Sequence, residues 1–140
     1  MRGAKLPSLP GQFRRRFVSG PSGPFLDARF ASNNGDPKTA TASWRKGVEI
    51  QDRLAYDEPP TWYYPVRESL GGELLKAGNA SEAEKVFRTD LEKNPQNGRS
   101  LLGLYESLKR QKRTAEADWM SREFQAAWKN ATVKLRVSDL

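Results

Sequence analysis

The chain reads as all-α, and three observations carry that expectation. Apolar side chains across residues 62–129 recur at intervals of three and four, the spacing that gathers them on one side of a helix. Capping and breaking residues (Gly78-Asn79, Ser81 with Glu84, Asn94 to Gly98) divide the same stretch at helix-sized intervals. The stretch also matches itself at an offset of 34 residues: Leu70 with Leu104, Leu74 with Leu108, Ala83 with Ala117, and Ser81-Glu82-Ala83-Glu84 with Ala115-Glu116-Ala117. A fixed period of this length marks an α-solenoid, in which each helix pair buries its apolar face against its neighbours.

The elements follow in chain order. Residues 1–38 hold prolines at 7, 10, 21, 24 and 37 and glycines at 3, 11, 20, 23 and 35. Breakers at that density leave no room for a packed element, so this segment is expected to be disordered. From Thr39 to Ala55 the composition favours a helix, with Trp44, Val48 and Leu54 at turn-like spacing. Pro59-Pro60 ends it, and Thr61 can cap the next.

Four further helices are expected over 62–129. The first carries Tyr63, Val66, Leu70, Leu74 and Ala77 and stops at Gly78-Asn79. Ser81 and Glu84 have capping-box spacing and open the second, with Ala83, Phe87 and Leu91 on its stripe. After the turn-forming Asn94-Pro95-Gln96-Asn97-Gly98, the third presents Leu101, Leu104, Tyr105 and Leu108. The fourth presents Ala117, Met120, Phe124, Ala127 and Trp128. Val133-Lys134-Leu135-Arg136-Val137 alternates apolar and charged residues, as an extended segment lying along the last helix would. The expected organisation is a basic, Pro/Gly-rich segment over 1–38, a helical repeat domain over 39–130 and an extended tail over 131–140.

Within the first repeat, Leu70-Gly71, Leu74, Ala83, Phe87 and Pro95 stand in the pattern of the tetratricopeptide family, which the chain resembles from about residue 42 to 130. The physical sense of the pattern is that Gly71 and Ala83 are small enough for two helices to approach, while Phe87 and Leu74 fill the seam. The second repeat departs from it, with Tyr105 for the small residue, Ser121 for the aromatic and Lys129 for the proline, which suits a terminal repeat facing water. The helix at 39–55 looks like the second half of an upstream repeat whose first helix is missing or lies in the segment before it. The phrase from Tyr56 to Arg67 also resembles the C-terminal portion of a group of uncharacterised, mostly bacterial tetratricopeptide proteins. The resemblance implies about two and a half helix pairs and a non-catalytic protein-interaction module or scaffold that holds a peptide or helix of another protein.

Composition bounds the chemistry. The chain has neither cysteine nor histidine, which removes disulfides, thiolate nucleophiles, Cys/His zinc sites and imidazole bases, and no catalytic, cofactor-binding or metal-binding residue is proposed. No apolar run approaches the ~20 residues of a spanning helix. An intracellular, cytoplasmic setting is expected. The acid-poor start, with Arg14-Arg15-Arg16 and the Arg29-Phe30-Ala31-Ser32 sequence, leaves mitochondrial or plastid import as an alternative. The net charge of +7 is uneven: residues 1–38 carry seven basic and two acidic side chains, the remainder seventeen and fifteen. Charge alone therefore makes nucleic acid an unlikely partner of the repeats.

The candidate partner-binding residues are Trp62, Tyr63, Tyr64, Arg67, Glu68, Arg99, Leu102 and Glu106. The aromatic trio could anchor a peptide or seal a loop against the flanking helices. Asp57 and Glu58 before it suit a helix start. Glu68, Gly72, Leu75, Arg99, Leu102 and Glu106 are expected to face inward from the first helices of the pairs; with Arg67 they form a mixed-charge groove or a solvated surface. They do not reproduce the Lys, Asn and Arg clamp with which chaperone adaptors of this family hold acidic C-termini. Lys109, Arg110, Lys112 and Arg113 could meet phosphate, or simply complement a helix end. With the basic N-terminal segment they form the alternative function, nucleic-acid or anionic-surface binding. Trp119 lies off its stripe and would mark a contact surface if exposed. Two and a half repeats are marginal, so homo-oligomerisation or docking through the face of helix 39–55 is expected.

Overall fold

The computed structural model describes residues 23–54 and 66–140. Among these residues there are six α-helices: α1 Gly23–Asn33, α2 Pro37–Leu54, α3 Val66–Lys76, α4 Ala80–Lys93, α5 Gly98–Arg110 and α6 Thr114–Trp128, followed by a short 3-10 turn at Val137–Asp139. No strand occurs among the described residues. Trp62, Tyr63 and Tyr64, with the expected caps at 57–61, lie outside them. Each helix packs on the next in sequence, and α3 also touches α5. Apart from α2 and α3, consecutive helices are joined by only a few residues, so they run as antiparallel hairpins.

Three helices end in the same way. At Gly35, Gly78 and Lys112 the backbone turns left-handed, with φ of 70°, 79° and 61°. In each, that residue's N–H reaches back three residues and the next N–H reaches back five: Gly35 to Ser32 O and Asp36 to Ala31 O, Gly78 to Leu75 O and Asn79 to Leu74 O, Lys112 to Lys109 O and Arg113 to Leu108 O. These bonds satisfy carbonyls that a helix end would otherwise leave without partners. The second and third caps stand 34 positions apart, the period of the apolar pattern. The first stands 43 before the second, so the same hairpin occurs once more upstream, displaced by nine extra residues.

This corrects the expectation of disorder for residues 23–38; the part of that expectation that falls on residues 1–22 lies outside the described residues. Residues 23–33 form a helix that supplies the first half of the upstream pair. Superposed by their caps, Ala28 matches Gly71, Ala40 matches Ala83 and Ala117, and Trp44 matches Phe87, every one of them buried. Phe25 of α1 lies 6.3 Å from the Trp44 ring of α2, and the Trp44 indole N–H has no acceptor among the described residues. The face of helix 39–55 expected to self-associate is therefore covered by α1 through Phe25 and Ala28. The apolar surface at this end is instead the outer side of α1, where Leu26 is 55% and Phe30 62% exposed.

One continuous core runs through the pairs, from Ala28 and Trp44 through Val66, Leu70, Leu74, Ala83 and Phe87 to Leu104, Leu108 and Ala117. Phe87 is its centre: fully buried on α4, its ring fills the space that a methyl on Gly71 or Gly103 would need, so α3 and α5 both close onto it. Burial of a ring of this size contributes about 2–3 kcal/mol. Trp128 covers Gly98 in the same manner, and stacks on Phe124 at 6.0 Å. Ala77 and Ala127, counted on the apolar stripes, are exposed.

Two local expectations are corrected. The cap of α4 is Asn79, whose Oδ1 accepts from Glu82 N and whose Nδ2 donates to Glu82 Oε2; Ser81 and Glu84, with the same spacing, are already inside the helix. Residues 131–136 form no helix, but the tail does not simply follow α6: Trp128 Nε1 donates to Val133 O at 2.7 Å, and the turn at 137–139 crosses to α3 and α5.

Candidate functional site

The tail brings a short segment of the chain onto the first helices of two successive pairs. Gly72 of α3 is buried, and a side chain there would begin 2.9 Å from Leu140 Cβ and 3.1 Å from its carbonyl carbon. Leu140 can lie this close only because position 72 has no Cβ. From α5, the Arg99 guanidinium donates to the backbone carbonyl of Asp139 at 2.7 Å. Val137 and Leu140 pack their side chains against the core cluster. The segment is held in its turn by Asp139, whose carboxylate accepts the Arg136 N–H at 2.8 Å. The surface thus combines an apolar seat without side chain, a cationic donor for a backbone carbonyl, and room for two apolar side chains.

Beside the seat lies a buried polar network. Asn97 uses its Oδ1 to cap α5 at Arg99 N, and its Nδ2 donates to Glu68 Oε1 and Asp90 Oδ2, each at 2.7 Å. Ser100 Oγ donates to the same Asp90 oxygen at 2.6 Å, and Asn94 Nδ2 to the other at 3.3 Å. The start of α3, the end of α4 and the start of α5 are fastened together here. Burial pushes the Glu68 carboxyl above its ordinary range; the Asn97 hydrogen bond and the Arg99 charge, 3.7 Å away, offset this only in part, and Asp90 adds repulsion. An open depression of about 690 Å³ lined by Glu68, Lys93, Asn94, Pro95, Gln96 and Asn97 adjoins the network. Among the described residues no group of three or more His, Cys, Asp or Glu side chains could hold a metal ion.

The expected site residues are therefore separated. Arg99 does meet the tail segment. Glu68 lines the depression but is only 3% exposed, its carboxylate accepting from Asn97 and lying beside Arg99. Leu102 is buried and Glu106 half-buried on α5. Arg67 turns to the preceding helix, donating through both terminal nitrogens to Asp52 at 2.9 and 2.6 Å. That hydrogen bond holds the Asp52 carboxyl below its usual range against some burial, with a second contact from Lys93. Trp62, Tyr63 and Tyr64 fall in the stretch that is not described.

The basic run 109–113 is largely engaged within the fold. Arg110 donates to Leu75 O, Lys109 lies 5.4 Å over the Tyr105 ring, and Arg113 pairs with Glu84 at 2.7 Å and Glu116 at 2.6 Å. Burial pushes the Glu84 carboxyl up, but hydrogen bonds from Gln111, Arg88 and Arg113 outweigh it and the net shift is downward. Trp119 is 56% exposed, with the Arg122 guanidinium 5.6 Å from its ring.

Sequence reasoning missed Asp90, Asn97 and Ser100, as well as Gly103. Asn97 before Gly98 reads as a turn residue and no more. A signal was available, since Asn is among the preferred N-caps, but nothing local indicates that its amide would also face two carboxylates from other helices. No protein-family model, curated protein or solved structure matches the chain.

Proposed function

We propose that this chain is a non-catalytic interaction module of the tetratricopeptide type that holds a short peptide segment of another protein across α3 and α5. One observation carries the proposal: a segment of the chain itself is seated there, its backbone carbonyl on Arg99 and its Leu140 against Gly72. A surface that accommodates a peptide turn by backbone hydrogen bonding and a side-chain-free seat has the elements that peptide recognition requires. The 34-residue recurrence of left-handed caps supports the family assignment, because it repeats the hairpin and not only its apolar positions. Binding to nucleic acid or anionic surfaces has less support, because Arg110 and Arg113 are already committed to Leu75, Glu84 and Glu116.

Selection of displayed random peptides against the chain tests the reading. The expected result is a family of enriched peptides whose binding falls at least tenfold, about 1.4 kcal/mol, with Arg99→Ala or Gly72→Leu. Failure to enrich any peptide, or enriched peptides indifferent to both substitutions, would overturn it.

A further inference from the structure

We propose that Val137–Leu140 is a built-in occupant of the α3 and α5 face, and that partner peptides displace it by presenting the same chemistry: apolar residues at the first and fourth positions and an acid at the third. The inference rests on the peptide-holding function proposed above and specifies its ligand. Each feature of the pattern has a visible role. Val137 and Leu140 pack on the core cluster, and Leu140 fills the space over Gly72. Asp139 closes the turn by accepting Arg136 N–H at 2.8 Å, which turns its own carbonyl toward Arg99. Ser138 is exposed and hydrogen-bonds only within the turn, so its position is free to vary.

The contact is poised to exchange. Val137 and Leu140 are half-buried and their neighbours in the tail mostly exposed, and the turn is tied to the helices by the Arg99 hydrogen bond and apolar packing. Arg99 itself remains about one-third exposed and keeps Glu68 as a second partner at 3.7 Å, so it is held in place when the segment leaves. An intramolecular occupant lowers the apparent affinity for any competitor by the fraction of molecules in which the face is open.

The test uses the full chain and a labelled synthetic peptide of residues Val133–Leu140. In the double variant V137S/L140S the tail loses both apolar anchors, and the labelled peptide is expected to bind on the order of tenfold more tightly than to the unaltered chain. Adding Arg99→Ala should abolish the gain. Equal, Arg99-dependent binding to both chains would overturn the occupant and leave the peptide-holding function standing. No binding of this peptide while selected library peptides still bind through Arg99 would overturn the ligand pattern alone. If neither kind of peptide binds, both proposals fail. Hydrogen exchange on the unaltered chain is a second readout that needs no substitution: saturating peptide is expected to raise exchange at residues 137–140, and unchanged protection there with peptide bound elsewhere would overturn the inference.

Discussion

At the scale of single residues, the three left-handed caps contain an unequal member. Gly35 and Gly78 take a positive φ without penalty, whereas Lys112 has a Cβ crowded by its own backbone. Lys112→Gly is expected to stabilise the protein by about 1 kcal/mol in urea titration, and Gly78→Ala to destabilise it by a similar amount. A second test concerns close packing. A methyl on Gly103 would overlap the Phe87 ring, which is fully buried and already closed upon from the other side by Gly71. Gly103→Ala should therefore cost about 1–3 kcal/mol, and Phe87→Leu in the same chain should recover part of it, a non-additivity that a double-mutant cycle measures.

Glu68 gives a pH signature. Its folded carboxyl is raised by burial, so between the ordinary carboxylate range and that raised value the folded chain holds a proton that the unfolded chain has released. Stability falls as pH rises through this window, and Glu68→Gln should flatten that fall in unfolding midpoints collected across it. Asp52 and Glu84 act oppositely and elsewhere: their lowered values make a contribution present above the ordinary range and lost as pH drops through the folded values. The two windows do not overlap, so the Glu68 contribution can be read separately.

At the scale of elements, α1 shows where sequence was misleading. Pro24 and Gly35 contributed to the expectation of disorder, yet Pro24 sits in the first turn of α1, where its missing N–H costs nothing, and Gly35 is the cap that ends it. Pro37 opens α2 in the same way. Pro24, Gly35 and Pro37 thus mark helix ends. The helices α3 to α6 were legible because their caps and stripes recur at one period; α1 was hidden by the nine-residue offset, which removes it from that period. Docking of α1 is testable: Ala28→Asp places a charge in a fully buried contact and should raise amide exchange across residues 23–33 and in the Trp44 region while leaving α5 and α6 protected. Uniform loss of protection through α6 would show that the pairs unfold as a single unit.

At the scale of the whole molecule, the helical class was readable, whereas the crossing of the tail onto α3 and α5 was not. Alternation in 133–137 gave an extended segment, but which face it crosses depends on contacts between residues about 40 to 70 positions apart, such as Arg99 with Asp139 and Gly72 with Leu140. The fate of Arg67 and Glu68 was hidden for a related reason. Both read as groove residues from their helix alone, and it is Asp52 of α2 and Asn97 at the cap of α5 that engage them.

The matching hydrogen bonds at Gly78-Asn79 and Lys112-Arg113 act as a ruler, and a ruler makes the polypeptide extensible. A duplicate of Asn79–Lys112 inserted between Lys112 and Arg113 would leave both splice points inside an intact left-handed closure and deliver one more hairpin, in phase, to the same growing stack. Such a concatemer should gain helical content in proportion to the inserted residues and unfold at a higher urea concentration than its parent, since each internal unit adds an interface as well as itself.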